Sequence, residues 1–148
     1  MITRIRTIAD IVKHWKQILP AVQAIPTEPH KFDMRPEQVF TMFIRIFDRI
    51  PESDRICGFS SNDGVTNGFG LVVITETLEG LRESWIVYAW ANVAGKSQEL
   101  FRDAIKFLRE RGQTQVYARS TSMSKIVKRM FTSVWGFRVH ATEYIKCL

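Results

Sequence analysis

Apolar residues recur at three- and four-residue spacing in several stretches of the chain and gather into short runs between them, which predicts mixed α and β structure. Ile8, Ile11, Val12, Trp15, Ile18, Leu19 and Val22 make one stripe, a helix that Thr7 can cap and that Pro20 should break or kink. The imperfect alternation of Ile2 and Ile5 ahead of it predicts a short strand running into Thr7. Pro26 and Pro29 argue for a loop from Ile25 to Arg35. Pro36 then opens a second helix in the favoured first position, with Val39, Phe40, Phe43, Ile44 and Phe47 on one face, and Pro51 closes it.

Ile56 to Phe59, Phe69 to Thr77 and Trp85 to Trp90 are strand-like, and the hairpin signals Asn62-Asp63-Gly64 and Glu79-Gly80 between them predict an antiparallel meander. Gly58, Gly68 and Gly70, within or beside these runs, point to bulges or close backbone approach. A third helix from Ser97 to Arg111 carries Leu100, Phe101, Ala104, Ile105 and Leu108 inward and stops at Gly112. Gln115 to Arg119 reads as a strand returning to the sheet. Ile126, Val127, Met130, Phe131 and Val134 give a last helix, and Arg138 to Ile145 a final strand. With 148 residues, no linker and no repeat, a single domain over 1–148 is expected.

Composition narrows the function. No apolar window of about 18 residues suggests a membrane span, and the N-terminus lacks a signal-peptide block, so a cytoplasmic location is expected. Cys57 and Cys147 are too few and too far apart for a disulfide framework or a zinc site, and are expected to be free thiols. His14, His30 and His140 show no metal spacing, so no metal is expected. An excess of 21 basic over 15 acidic residues gives +6, which concentrates anionic ligands near the surface. Nucleic acid has only this charge in its favour, because Trp15, Trp85 and Trp135 sit at core-periodic positions; it is not the expected partner.

The strand Trp85 to Trp90, the loop Asn92-Val93-Ala94-Gly95-Lys96-Ser97 and the helix behind it form the unit with the most chemistry in it. A strand that feeds a helix through small residues turns backbone N–H groups toward an anion such as phosphate. The Gly95-Lys96-Ser97 triplet does not make a nucleotide-triphosphatase loop, since Trp90 stands where the earlier glycine is required.

This segment, with Trp135-Gly136-Phe137 near the C-terminus, resembles the acetyl-CoA half of the Gcn5-related N-acetyltransferases (GNAT). The family's loop pattern is Gln or Arg, two residues, Gly, one residue, then Gly or Ala. Gly95 matches the first glycine, while Asn92 and Ser97 fall at the outer positions. The resemblance implies an α+β fold, a mixed, mostly antiparallel sheet flanked by about four helices. It implies acetyl-CoA as cofactor, with the pyrophosphate on Asn92, Val93, Ala94, Gly95, Lys96 and Ser97, and direct transfer to a small-molecule or protein amine. It assigns Glu83 as the candidate general base, Tyr88 as a second polar group on that strand, and Thr132 at the position where the family often has a tyrosine that protonates the departing thiolate. His30 falls in the loop that lines the acceptor site.

Thr132, the imperfect loop and bulky Trp90, which can fill the space of the CoA arm, favour a second reading. In it the chain keeps the fold without the chemistry and serves as a structural or interaction protein with partners in an assembly. Small proteins of tailed phages are examples, and the location would then be a virion.

Overall fold

The computed structural model describes residues 2–23, 35–91, 96–118 and 136–138. Three residues, Ile2–Arg4, form β1 and pair antiparallel with β2 (Arg55–Asn62). β2 turns into β3 (Val65–Glu76) through Asp63 and Gly64, whose φ angles of 50° and 77° are those of the tight hairpin turn that the Asn-Asp-Gly signal predicts. β3 pairs antiparallel with β4 (Arg82–Ala91), completing the expected meander. β3 begins four residues earlier than its apolar run, because the two-residue turn forces pairing from its first residue onward. A helix, α3 (Lys96–Glu110), then carries the chain over to β5 (Tyr117–Ala118), which lies parallel to β4. The sheet order is β1-β2-β3-β4-β5.

The two faces of the sheet have separate cores. On one face α1 (Ile8–Gln23) and α2 (Pro36–Arg49) cover Cys57, Phe59, Phe69, Leu71, Val73 and Tyr88 with Ile11, Ile18, Val22, Val39, Phe43 and Phe47. Phe43, Phe69 and Tyr88 meet there with ring centroids 5.2 to 5.9 Å apart, joining α2, β3 and β4. On the other face α3 sets Ala104, Phe107 and Leu108 against Val72 and Ile74. Burying each such side chain contributes about 1.5–3 kcal/mol, so these two apolar layers, more than any surface ion pair, hold the helices to the sheet.

The helix ends follow the expected chemistry. The Thr7 hydroxyl accepts from the Asp10 N–H at 3.2 Å, and the Asp10 carboxylate accepts from the N–H groups of Arg6 and Thr7 at 3.0 and 3.1 Å. Those two backbone donors hold the Asp10 carboxyl below its ordinary value of 3.8. At the end of α3, Gly112 takes φ 72° while Gln113 donates to the Leu108 carbonyl and Gly112 to that of Arg109, closing the helix at the predicted glycine. Pro20 does not break the helix: α1 continues through it to Gln23. Pro20 and Lys16, whose carbonyl loses its helical donor, lie on the solvent side, where water can take the donor's place.

Three α-helices fall within the described residues. The predicted last helix lies outside them, as does all of the final strand except Arg138. No helix among the described residues is long and apolar enough to cross a membrane.

Gly68 shows why β3 needs glycine. A Cβ there would lie 2.7 Å from Ser60 Oγ and 3.2 Å from Leu100 Cδ1, between β2 and the first turns of α3. Ser60 is itself buried and donates to Asn67 Oδ1 at 2.6 Å, so it has little room to move. Gly68→Ala is expected to lower unfolding free energy by about 1–3 kcal/mol, measured by urea titration.

Candidate active site on strand β4

β4 is not a regular strand. Val72 pairs with Ile86 and Leu71 with Tyr88, leaving Val87 as an extra residue, a β-bulge. Ahead of the bulge Trp85 pairs with Val73, and beyond it Tyr88 pairs with Leu71 and Trp90 with Phe69. All three aromatic side chains therefore reach the face covered by α1 and α2, although their parity in the sequence differs. A bulge also bends its strand and increases the local twist. This one lies one residue past the Ile86↔Ala118 pair, at the last described residue of β5.

Glu83 sits toward the start of β4, opposite Thr75 and half-buried. Its Oε2 accepts from Trp85 Nε1 at 3.2 Å. Trp85 stacks on Tyr117 across the β4–β5 join, with centroids 5.1 Å apart and planes at 29°. The spacing of residues two apart on one strand face could have indicated the Glu83–Trp85 contact. The Trp85–Tyr117 stack needed the parallel register of β4 and β5, and the sequence reading missed it.

Tyr88 has a different setting. Its ring is buried and its hydroxyl donates to the Ala21 carbonyl in the last turn of α1 at 2.7 Å. Burial pushes its pKa up, so the hydroxyl keeps its proton. The side chain ties β4 to α1, and its proton is committed to that bond.

Of the proposed phosphate loop, Asn92, Val93, Ala94 and Gly95 lie outside the described residues, as do Thr132 and His30. The order around the loop is nevertheless the expected one: β4 ends at Ala91 and α3 opens at Lys96, with Ser97 next, across a four-residue connection. A helix of 15 residues in this position directs its first N–H groups toward the connection. Trp90 is half-buried and packs on the core beneath α1 and α2. Cys57 is a free, buried thiol whose pKa burial pushes up to about 12. His14 lies 5.4 Å from the Phe59 ring, with Nδ1 2.7 Å from Gln17 Oε1.

The sequence matches no protein-family model and no curated protein. Its structure does find relatives. Over the full chain it superposes on an aminoglycoside antibiotic 6'-N-acetyltransferase from Acinetobacter haemolyticus with TM-score 0.71, 9% identity and 99% of that chain covered. A ribosomal-protein-alanine N-acetyltransferase from Brucella melitensis biovar Abortus 2308 gives TM-score 0.64 at 12% identity, with 100% and 99% of the two chains covered. A GNAT family acetyltransferase from Staphylococcus aureus gives 0.66 at 10%, with 100% and 98% covered. The chain has the GNAT acetyltransferase fold.

The structural role of Tyr88 is directly testable. Tyr88→Phe keeps the ring contacts and removes the donor to Ala21, and is expected to destabilise by about 1–2 kcal/mol in urea unfolding.

Proposed function

We propose that the chain is an acetyl-CoA-dependent N-acetyltransferase that works by direct transfer to an amine. The observation that carries this reading is the passage from bulged β4, through four residues, into the N-terminus of α3, beside a parallel β5. The fold supports it, since its structural relatives are acetyltransferases.

The residues present suit an anionic diphosphate. The first turn of α3 supplies backbone N–H donors and the positive end of a helix dipole, and Lys96 adds a cation to the same turn. Asn92 to Ser97 would hold the pyrophosphate, as would the amides of Val93, Ala94 and Gly95 in particular. Acetyl-CoA, when bound, supplies an acyl carbonyl already activated as a thioester. Glu83 has the chemistry to take the proton from the attacking ammonium, and its Trp85 bond holds the carboxylate in one orientation. Thr132 can contribute a hydroxyl to the departing thiolate.

Because the loop departs from the family pattern at Asn92 and Ser97, cofactor binding is the step to measure. At 100-fold excess over the dissociation constant, acetyl-CoA is expected to stabilise the protein by about 2.7 kcal/mol, a melting-temperature rise of about 5–10 °C. Gly95→Trp should abolish that rise. No rise at millimolar acetyl-CoA would leave the non-catalytic assembly component, whether in a tailed phage or elsewhere, as the surviving reading.

A further inference from the structure

The turn between β3 and β4 carries two leucines into water. Leu78 is fully exposed and Leu81 is 64% exposed, on the tip Glu76-Thr77-Leu78-Glu79-Gly80-Leu81, where polar residues are the rule. The tip is held firmly. The Thr77 N–H donates to the Leu81 carbonyl at 2.7 Å, the Gly80 N–H to the Thr77 carbonyl at 3.0 Å, and the Leu81 N–H to the Thr77 hydroxyl at 3.2 Å. Gly80 takes φ 79°, a left-handed angle that suits glycine. The backbone under the two leucines therefore has little freedom left to lose when it meets a partner.

A surface that suits this tip lies on α2. Met42, Ile46 and Ile50 recur every four residues along one stripe of the helix, are half-buried, and line an open groove of about 630 Å³. Arg45 and Arg49 line it too and are exposed. Glu37 belongs to the far end of the groove, 12 residues before Arg49, or about 18 Å along a helix. The tip is acidic where this part of the groove is basic, since Glu76 and Glu79 stand on either side of Leu78. Among the described residues none of these two glutamates and two arginines has an ion-pair partner. A second basic groove, on α3, contains Arg102, Lys106 and Arg109, but its Phe101 already packs on Phe137 with centroids 6.2 Å apart.

Tip and groove lie at the same end of the molecule. Arg82, at the foot of the hairpin, donates to the Asp54 carboxylate at 2.6 Å, and Asp54 belongs to the short turn Glu52–Asp54 that follows the end of α2. A two-fold axis at that end brings each tip to the other chain's groove, so that two identical contacts form together. We infer that the chain self-associates as a two-fold dimer in which Leu78 and Leu81 of each copy seat on the partner's Met42, the partner's Ile46 and the partner's Ile50, with Glu76 and Glu79 facing the partner's Arg45 and the partner's Arg49. The leucines supply the burial, and the charges set the register and exclude the reverse fit. This association holds whether or not the chain transfers an acetyl group.

Sedimentation equilibrium of the full chain, from about 1 to about 500 μM, tests it. A monomer–dimer equilibrium with a dissociation constant of about 1–100 μM is expected, as befits two small contacts. Leu78→Asp should weaken it at least about 100-fold, because the two-fold axis counts each buried leucine twice. Leu78 is fully exposed in the single chain, so this variant should keep the parent's urea midpoint. Reversing the tip (Glu76→Arg with Glu79→Arg) or the groove (Arg45→Glu with Arg49→Glu) should each weaken self-association about tenfold or more. Mixed one to one, the two reversed variants should dimerise with each other, since each tip then meets a groove of opposite sign. A monomeric mass across the whole range would overturn the inference, as would a dimer that Leu78→Asp leaves intact or reversed variants that do not pair when mixed. A dimer lost in Arg109→Glu but kept in the reversed α2 groove would move the tip to α3 and overturn it as well.

Discussion

One extra residue in β4 governs how the two cores and the candidate site coexist. Side chains of a regular strand alternate between faces, so Trp85 would point opposite to both Tyr88 and Trp90. The α1–α2 core needs all three, and β4 meets that demand by bulging at Val87. Ile86, immediately before the bulge, still reaches Val72 and the α3 face. Tyr88 then fixes the strand from the far side through its bond to the end of α1. The bend thus sits between a ring clamped into the core and the strand pair that joins β5.

The same arrangement explains how a fold persists at 9 to 12% identity. What must be kept is a pattern: apolar rings toward α1 and α2, branched aliphatics toward α3, a left-handed turn residue at each hairpin, and a strand that leads into a helix. Many residues satisfy each demand. The chemistry is more exacting. A carboxylate bonded to an indole, the bulge beyond it and the helix that opens after the same strand all depend on one stretch of chain.

Much of the fold was legible because its signals are local. Thr7, Asp63-Gly64 and Gly112 each mark a boundary through a hydrogen bond or a backbone angle that few residues allow, and each stands where the sequence placed it. Pro20 does not end its helix because a proline's cost depends on whether the orphaned carbonyl can reach water, which is a tertiary property. The bulge left no trace, since Val87 has neither a glycine nor a proline beside it and the run Trp85 to Trp90 is apolar at every position. The Trp85–Tyr117 stack is not legible for a similar reason: the two rings lie on different strands, 32 positions apart in a register that only the sheet reveals. The family's loop and acid positions were legible only through resemblance, and Asn92 to Gly95 and Thr132 lie outside the described residues.

Deleting Val87 tests the central claim most directly. Tyr88 would then follow Ile86 in regular alternation, so the same rings still face α1 and α2, and the protein should retain cooperative urea unfolding with a midpoint near that of the parent. The bend alone is lost, and with it the stabilisation by acetyl-CoA should disappear. A folded deletion variant that acetyl-CoA stabilises as strongly as the parent would contradict the account.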